Sequence, residues 1–282
     1  MLRGGETSKR SSSRIIEMDG FKKNEIFFEE KGFCLLKGDS TKLLRRIPEK
    51  SIDMVFADPP YFLSNGGVSC QSGRQVSVDK GDWDKGMNPD EKLKWNRLWI
   101  KEARRVLKDD GTIWISGTFH NIYSVGVALE LEGFSIINNI TWVKPNPTPN
   151  LACRCFTNST ETILWARKQL TEKKKGNHYF DYDLMKETNG GKQMKDVWEI
   201  QLPSQSEKEC GYHPTQKPLA LLERIVLAST KEGDVVLDPF NGSGTTGVAA
   251  FSLGRNYIGI EMEKTYLDIT KKRYISLPQK LF

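Results

Sequence analysis

The chain has 282 residues, of which 38% are hydrophobic and 28% charged, and its formal net charge is +6. This length suits one large α/β domain with insertions, and the composition is that of a globular protein. No apolar run is long enough to span a bilayer, nothing at the amino terminus resembles a signal peptide, and five scattered cysteines with three histidines disfavour a disulfide framework or a metal site. We therefore expect a cytoplasmic protein without metal, whose basic charge is compatible with a polyanionic partner.

The predicted elements begin after a Ser-rich, basic arm over residues 1–25, which we expect to be disordered. Buried strands are predicted at 32–39, 51–58, 111–117, 134–144, 160–168, 234–240 and 256–262. Helices are predicted at 41–48, 91–111, 121–133, 213–230 and 243–254. Gly111 and Gly133 suit the ends of two of these helices, and Trp95 and Trp99 fall on a helical spacing typical of a core face. The alternation predicts a doubly wound, mostly parallel sheet.

A glycine pattern near the carboxyl terminus predicts a ligand-binding loop. The spacing Gly242-x-Gly244-x-x-Gly247 follows a predicted strand and opens a predicted helix, and Glu261 ends the next strand. Glycines let the backbone approach a ligand, the helix amino terminus offers free N–H donors, and an acid can accept ribose hydroxyls. A tight turn that needs glycine for packing alone is the alternative.

The expected ligand is smaller than a dinucleotide. A nicotinamide dinucleotide needs a second mononucleotide-binding half, and only about twenty residues follow Glu261. S-adenosylmethionine has a ribose for the acid and a methionine moiety for the loop, without a pyrophosphate, so it is the cofactor that we predict.

The segment Asp58-Pro59-Pro60-Tyr61 ends a buried strand and should face the same crevice as the glycine loop, because ligands bind outside the carboxyl ends of parallel strands. The Asp58 carboxylate and the Pro59 carbonyl could accept both hydrogens of a base amino group and direct its lone pair at a sulfonium methyl. Tyr61 could stack on the base, which would have to leave the duplex. Catalysis would then rest on orientation and electrostatics.

The motifs "ADPPY" and "LDPFNGSGTT" together resemble the amino-methyltransferases of restriction–modification systems, over about residues 32–275. The catalytic motif precedes the cofactor motif, as in the circularly permuted β group. "FLSNGG" and "VDKGDWDK" further resemble the second, single-strand-capable adenine methylase of GATC-type systems. The resemblance implies a Rossmann-like sheet of seven strands in the order 3-2-1-4-5-7-6, with segments 134–144 and 160–168 as an antiparallel pair at one edge.

The resemblance also assigns site residues. The catalytic residues are expected to be Asp58, Pro59, Pro60 and Tyr61, and "HPTQKP" is expected to pack beside the methionine end of the cofactor. The expected cofactor-binding residues are Asp39, Asp58, Thr215, Lys217, Asp238, Pro239, Phe240, Gly242, Ser243, Gly244, Thr245, Thr246 and Glu261.

Two insertions in a single domain of residues 26–282 are expected to contact DNA. Residues 62–86, with Arg74, Lys80 and Lys85, would form a loop over the target base, and residues 169–212, with the lysine run 172–175, would form a target-recognition region. A solvated loop is an equal alternative for that lysine run. Lys144, Asn146, Asn150 and Arg154 are further candidates for contacts with bases or phosphates.

The sequence thus predicts transfer of a methyl group from S-adenosylmethionine to adenine N6 in duplex or single-stranded DNA, with GATC as the suggested site. An Asp in the first position of the catalytic motif favours adenine over cytosine in the family that it resembles. Cytosine-N4 transfer is the nearest alternative, and a non-catalytic DNA-binding protein with this fold is another. A nicotinamide oxidoreductase would give Asp58 and Tyr61 no role, and RNA stays open as a substrate. A cognate endonuclease and a monomeric or homodimeric state are expected, without a membrane association.

Overall fold

The computed structural model describes residues 15–16, 20–62, 68–71, 74–77, 86–147, 149–150, 153–171 and 177–278. Their strands are β1 (Ile26–Glu30), β2 (Phe33–Lys37), β3 (Ile52–Ala57), β4 (Val68–Gln71), β5 (Arg74–Ser77), β6 (Leu107–Gly117), β7 (Phe134–Val143), β8 (Thr160–Lys168), β9 (Val197–Glu199), β10 (Val235–Asp238) and β11 (Asn256–Glu261). The helices are α1 (Ser40–Leu43), α2 (Pro89–Val106), α3 (Ile122–Leu131), α4 (Tyr182–Thr188), α5 (Leu219–Ser229), α6 (Thr245–Ser252) and α7 (Lys264–Ile275).

One sheet of nine strands, in the order β1-β2-β11-β10-β3-β6-β8-β7-β9, organises the described part of the chain. The prediction of seven strands was wrong, because β1 adds to one edge and β9 to the other. The seven strands between them are arranged as predicted: in the numbering of the permuted family, which starts at β10, they have the order 3-2-1-4-5-7-6. Strand β7 pairs antiparallel with β8, as expected. Strands β2, β11, β10, β3 and β6 are mutually parallel, so their carboxyl ends meet along one edge of the sheet.

Apolar layers cover both faces of this sheet, which explains why its central strands are mainly apolar. Strand β3 (IDMVFA) shows this best, since its residues from Met54 to Ala57 are all buried. Helices α1, α2 and α3 contribute to the core on one face, with Trp99 fully buried. Helices α5, α6 and α7 contribute to the core on the other face. The catalytic and cofactor motifs are thereby held at the ends of rigid strands.

Helix α2 begins with a capping box between Asn88 and Glu91 and with Pro89 in its first turn. It ends at Val106, and β6 starts at the next residue. The prediction that Gly111 closes this helix was therefore wrong. Gly111 lies inside β6, where a Cβ would come within 2.9 Å of the Asp53 carbonyl, so glycine permits the close approach of β6 and β3. Gly133 does follow α3 with a positive φ of 75°, as predicted.

Several predicted segments lie partly outside the described residues. These include residues 1–14 and 17–19 of the arm, Lys80, Lys85 and the lysine run 172–175. Ile16 and Phe21, which fall within the predicted arm, are buried in the hydrophobic core to which α1 and α2 also contribute. Within 62–86, β4 and β5 form a separate antiparallel pair, and 169–212 contains α4, β9 and a short 3-10 turn. Among the described residues, none of the helices combines the length and apolar character needed to cross a membrane.

Candidate active site

A cavity of about 310 Å³ opens at the carboxyl edge of the parallel strands. Acidic side chains at or just after the ends of four neighbouring strands line it: Asp39 after β2, Asp58 after β3, Asp238 at the end of β10 and Glu261 at the end of β11. Parallel strands bring these four acids together although up to 222 positions separate them, from 39 to 261. The volume lies within the range of small-molecule sites.

The cavity gathers almost all the predicted site residues. Its lining includes Asp39, Asp58, Pro59, Pro60, Tyr61, Thr215, Lys217, Asp238, Pro239, Phe240, Gly242, Ser243, Thr245, Thr246 and Glu261. Gly244 is the exception, because it does not line the cavity. Residues of both predicted motifs, 58–61 and 238–246, thus line one cavity.

Two glycines in the left-handed backbone conformation shape the glycine loop: Gly242 has φ 50° and Gly244 has φ 75°. Gly244 is the residue before α6, and a Cβ on it would lie 2.3 Å from the Thr270 side chain. Close packing against α7 therefore explains why position 244 is a glycine. For this position, the alternative interpretation of the loop, glycine needed for packing alone, is sufficient. Gly242 does reach the cavity, and its N–H donates to Glu261 at 2.8 Å.

Asp238 is held by two donors inside the protein. The N–H of Phe240 donates to it at 2.9 Å, and the Thr246 hydroxyl donates at 2.6 Å. Burial nonetheless raises the pKa of Asp238 to about 7, with the nearby charges of Asp58 and Glu261 acting in the same direction. This carboxyl group therefore titrates near neutral pH.

Glu261 and Asp39 are also fixed by local hydrogen bonds. Besides Gly242, the N–H groups of Met262 and Glu263 donate to Glu261 at 2.8 and 2.9 Å. Burial raises the pKa of Glu261 above its usual value despite these donors. Asp39 caps α1 through the Thr41 N–H at 2.9 Å. Both acids are thus oriented before any ligand binds.

Asp58, Tyr61 and Lys217 form a hydrogen-bonded cluster. The Tyr61 hydroxyl donates to Oδ1 of Asp58 at 2.6 Å, and the Lys217 ammonium pairs with Oδ2 of Asp58. Lys217 also donates to the Tyr61 hydroxyl at 3.1 Å. Burial, reinforced by Asp58 and Glu161, raises the pKa of Tyr61 well above its usual value, so the phenol stays neutral.

Glu161 and Lys144 complete this cluster, and the sequence did not assign either to the catalytic site. Glu161, at the start of β8, lies 3.5 Å from the Lys217 ammonium, and Lys144 donates to its other oxygen at 2.5 Å. Burial acts to raise the pKa of Glu161, but Lys217 and Lys144 outweigh it and the pKa is lowered. Burial acts to lower the pKa of Lys217, but Asp58 and Glu161 outweigh it and the pKa is raised. Both groups are therefore charged at neutral pH.

Aromatic side chains form one wall of the cavity. The rings of Trp95 and Phe240 lie 5.7 Å apart, and Phe62 meets Trp95 edge-on at 5.2 Å. All three line the cavity, whereas the sequence predicted Trp95 only as helix core. The helical spacing of Trp95 did not indicate a cavity, because the same face of α2 also holds the buried Trp99. Such a wall suits a planar, apolar ring.

The charge of the lining favours a cationic ligand. Among its described residues, five are acidic (Asp39, Asp58, Asp238, Glu261 and Glu263), against Lys217 and a histidine, His213. A negative cavity with an aromatic wall can hold a compound that carries both a positive centre and a flat ring. The described residues contain no group of three or more His, Cys, Asp or Glu side chains arranged to hold a metal ion.

Comparisons with known proteins find similar sequences and a similar structure. A family model described as DNA methylase matches residues 52–272. The chain is 64% identical to the Type II methyltransferase M2.LlaDCHI of Lactococcus lactis subsp. cremoris over 88% of its length and 91% of that protein. It is 62% identical to the Type II methyltransferase M2.DpnII of Streptococcus pneumoniae, with the same coverage. The protein in the crystal structure of an M1.HpyAVI–SAM complex has 30% sequence identity to this chain. Its fold matches with a TM-score of 0.64, covering 87% of this chain and 100% of that one.

Proposed function

The chain belongs to the DNA methylase family, whose members transfer methyl groups from S-adenosylmethionine, and we propose that it methylates adenine N6 in DNA, with GATC as its target sequence. The observation that carries this proposal is that Asp58-Pro59-Pro60-Tyr61 and the 238–246 loop line one cavity. A base amino group and a methyl donor held there would lie side by side.

The lining residues fit S-adenosylmethionine. When bound, this cofactor supplies an electrophilic methyl group on a positively charged sulfur. The acidic lining would favour that charge, Glu261 and Asp39 would be placed to accept hydroxyl or amino hydrogens, and the aromatic wall of Phe62, Trp95 and Phe240 would suit the adenine ring. Lys217 and Thr215 line the part of the cavity that we assign to the methionine end.

Asp58 is proposed to orient the target amino group. Its carboxylate would accept one amino hydrogen and the Pro59 carbonyl the other, which directs the nitrogen lone pair at the methyl group. The Pro60 carbonyl is already used, since Asn121 donates to it at 3.2 Å, whereas no donor within the described part of the chain bonds to the Pro59 carbonyl. Tyr61 would stack on a base that has left the duplex.

Adenine is preferred over cytosine because Asp58 occupies the first position of the catalytic motif, as in the adenine enzymes that the sequence resembles. The Type II names of M2.LlaDCHI and M2.DpnII support a role beside a restriction endonuclease. We propose that residues 62–86 and 169–212 contact DNA, and that the protein acts as a monomer or homodimer.

The decisive experiment measures methyl transfer from labelled S-adenosylmethionine to unmethylated duplex and single-stranded oligonucleotides, with GATC or a scrambled site. Mass analysis of the digested nucleosides then distinguishes N6-methyladenine from N4-methylcytosine. We expect N6-methyladenine in the GATC substrates alone. N4-methylcytosine, or equal methylation of the scrambled control, would refute the assignment of base or site.

Substitution of the catalytic acid tests the mechanism. Asp58→Ala should reduce transfer by more than about a thousandfold while cofactor still binds, because the variant loses an orienting acceptor that acts at the reacting nitrogen. Asp268→Asn is the matched control, since Asp268 forms an exposed ion pair with Lys264 on α7. An Asp58→Ala variant with the activity of the control would refute this role.

A further inference from the structure

Glu161 contacts the catalytic cluster from outside the cavity lining. It stands at the second position of β8, which runs antiparallel to β6, so the amino end of β8 reaches the edge where the parallel strands end. Its Oε2 lies 3.5 Å from the Lys217 ammonium and 3.4 Å from the Tyr61 hydroxyl. The side chain is only 10% exposed, and Lys144 holds its other oxygen.

The Lys217 ammonium is placed where it can hinder methyl transfer. It pairs with Oδ2 of Asp58, the carboxylate that would accept the target amino group on the proposed function. As the carbon–nitrogen bond forms, the carbon–sulfur bond breaks with its electron pair staying on sulfur. The nitrogen then carries a positive charge until a proton leaves to solvent. A buried ammonium beside this nitrogen opposes that charge, since electrostatic interactions are strong in a low-dielectric site.

We propose that Glu161 is a positioning residue for methyl transfer, which binds and neutralises the Lys217 ammonium so that Asp58 stays available to the amino group and a positive charge can develop there. This inference rests on the proposed function. Lys217 keeps a carboxylate partner in Glu161 when Asp58 turns to the base. Lys144, which donates to Oε1 of Glu161, fixes the carboxylate in that position.

The pH dependence of the methylation rate distinguishes this role from a purely structural one, in which Glu161 only forms an ion pair with Lys144. Lys217 contacts Asp58, Tyr61 and Glu161, and its pKa is raised because the two carboxylates outweigh its burial. Removing the charge of Glu161 must lower that pKa, since burial is then opposed by Asp58 alone. A Lys217 that loses its proton no longer opposes the developing charge. The defect of a Glu161→Gln variant should therefore shrink as the pH rises, whereas structural damage gives a constant defect.

The experiment compares wild type, Glu161→Gln and Glu161→Asp in single-turnover methylation of GATC duplex, from about pH 6 to about pH 9, a span that includes a lowered lysine pKa. Calorimetry gives the S-adenosylmethionine affinity of each. Glu161→Gln should slow transfer at least about tenfold at neutral pH, with an affinity within about threefold of wild type and a defect that falls with pH. Glu161→Asp, which keeps the charge, should recover part of the rate and the wild-type pH profile. Glu132→Gln, which removes a carboxylate paired with the half-exposed Arg97, should match wild type.

The outcomes are distinct. A wild-type rate for Glu161→Gln, or a defect that is constant with pH, would overturn the inference while the proposed function stands. If Glu161→Gln does not fold, the double variant Lys217→Met with Glu161→Gln removes both charges. Its rate should equal that of Lys217→Met alone, and an additive loss would overturn the inference. A wild-type protein that binds cofactor but methylates none of the DNA would overturn the proposed function, and this inference with it.

Discussion

The Tyr61 hydroxyl donates a 2.6 Å hydrogen bond to Oδ1 of Asp58, three residues earlier in the chain. The two prolines between them have restricted backbones, so the side chains are held near each other by the loop itself. Tyr61 therefore has two separable parts: a ring that can stack on a base, and a hydroxyl that fixes the orientation of a carboxylate.

Tyr61→Phe should separate these parts. The ring remains, but Asp58 loses a neutral donor, so we expect transfer to slow about tenfold with cofactor affinity unchanged. The alkaline limb of the pH profile should not move, because the raised pKa of Tyr61 keeps the phenol neutral in wild type. Single-turnover rates across pH measure both effects.

Tyr123→Phe is the control for this substitution, since Tyr123 is 74% exposed on α3. If Tyr61→Phe has the wild-type rate while Tyr61→Ala is inactive, only the ring contributes and the hydrogen bond to Asp58 has no catalytic role.

Asp238 makes the stability of the protein depend on pH. Its folded-state pKa of about 7 lies above the ordinary value of 3.8. The folded state therefore holds a proton that the unfolded state has released, so the contribution of Asp238 to stability is present below about pH 4 and is lost as the pH rises toward 7, by about 1.4 kcal/mol per unit of pKa difference at most. Asp238→Asn should remove this dependence, which denaturant unfolding at several pH values would show.

Cofactor binding should also release a proton from Asp238. A cationic ligand favours the ionised carboxylate, so S-adenosylmethionine should bind more tightly as the pH rises through about 7. Calorimetry in buffers of different ionisation enthalpy measures the released proton. Equal binding enthalpies in all buffers, or proton release that persists in Asp238→Asn, would show that Asp238 does not titrate on binding.

The sequence predicted those residues of the site that are acidic and end a parallel strand. Asp58, Asp238 and Glu261 each close an apolar strand, and parallel pairing brings such ends to one edge, so their proximity followed from the fold class. The family resemblance added Asp39 and Lys217 and the order of the seven central strands.

Other contacts could not be predicted because they depend on tertiary geometry. Glu161 begins a strand instead of ending one, and it reaches the site only because β8 is antiparallel. Trp95 reads as core from its spacing, since periodicity identifies the buried face of a helix but not a cavity beside it. Gly244 matched a ligand-binding pattern, yet the neighbouring Thr270 explains it. The edge strand β9 has three residues within a polar segment, too few for a detectable alternation.

Gly244→Ala should destabilise the fold more than it affects ligand contacts. The new Cβ would lie 2.3 Å from Thr270 at a φ of 75°, so both a clash and backbone strain oppose it. We expect a loss of at least about 3 kcal/mol in the free energy of unfolding. Gly233→Ala is the matched control, since Gly233 has φ 84° with nothing within 4 Å of the added Cβ, and it should lose only about 1 kcal/mol. Equal losses in urea unfolding would show that the contact with Thr270 is unimportant.

Asn121 supports the catalytic loop from a buried position. It donates to the Pro60 carbonyl at 3.2 Å and accepts from the Asn96 amide at 2.9 Å, while Asn96 in turn accepts from the Trp99 indole at 3.3 Å. This chain of hydrogen bonds connects the core of α2 with the backbone between Asp58 and Tyr61.

Asn121→Ala should leave the Pro60 carbonyl without its donor and should leave the Asn96 amide with Ser124 as its remaining acceptor, lowering stability by about 1–2 kcal/mol. Because Asp58 is then less well oriented, transfer should slow about tenfold or more, while cofactor affinity changes little. Asn256→Ala, which removes an exposed amide contact with the Gly233 carbonyl at the opposite end of the sheet, should change neither rate nor affinity. If Asn121→Ala loses stability but keeps the wild-type rate, the loop is held in place by its prolines alone, and the hydrogen bond from Asn121 serves the core instead of the reaction.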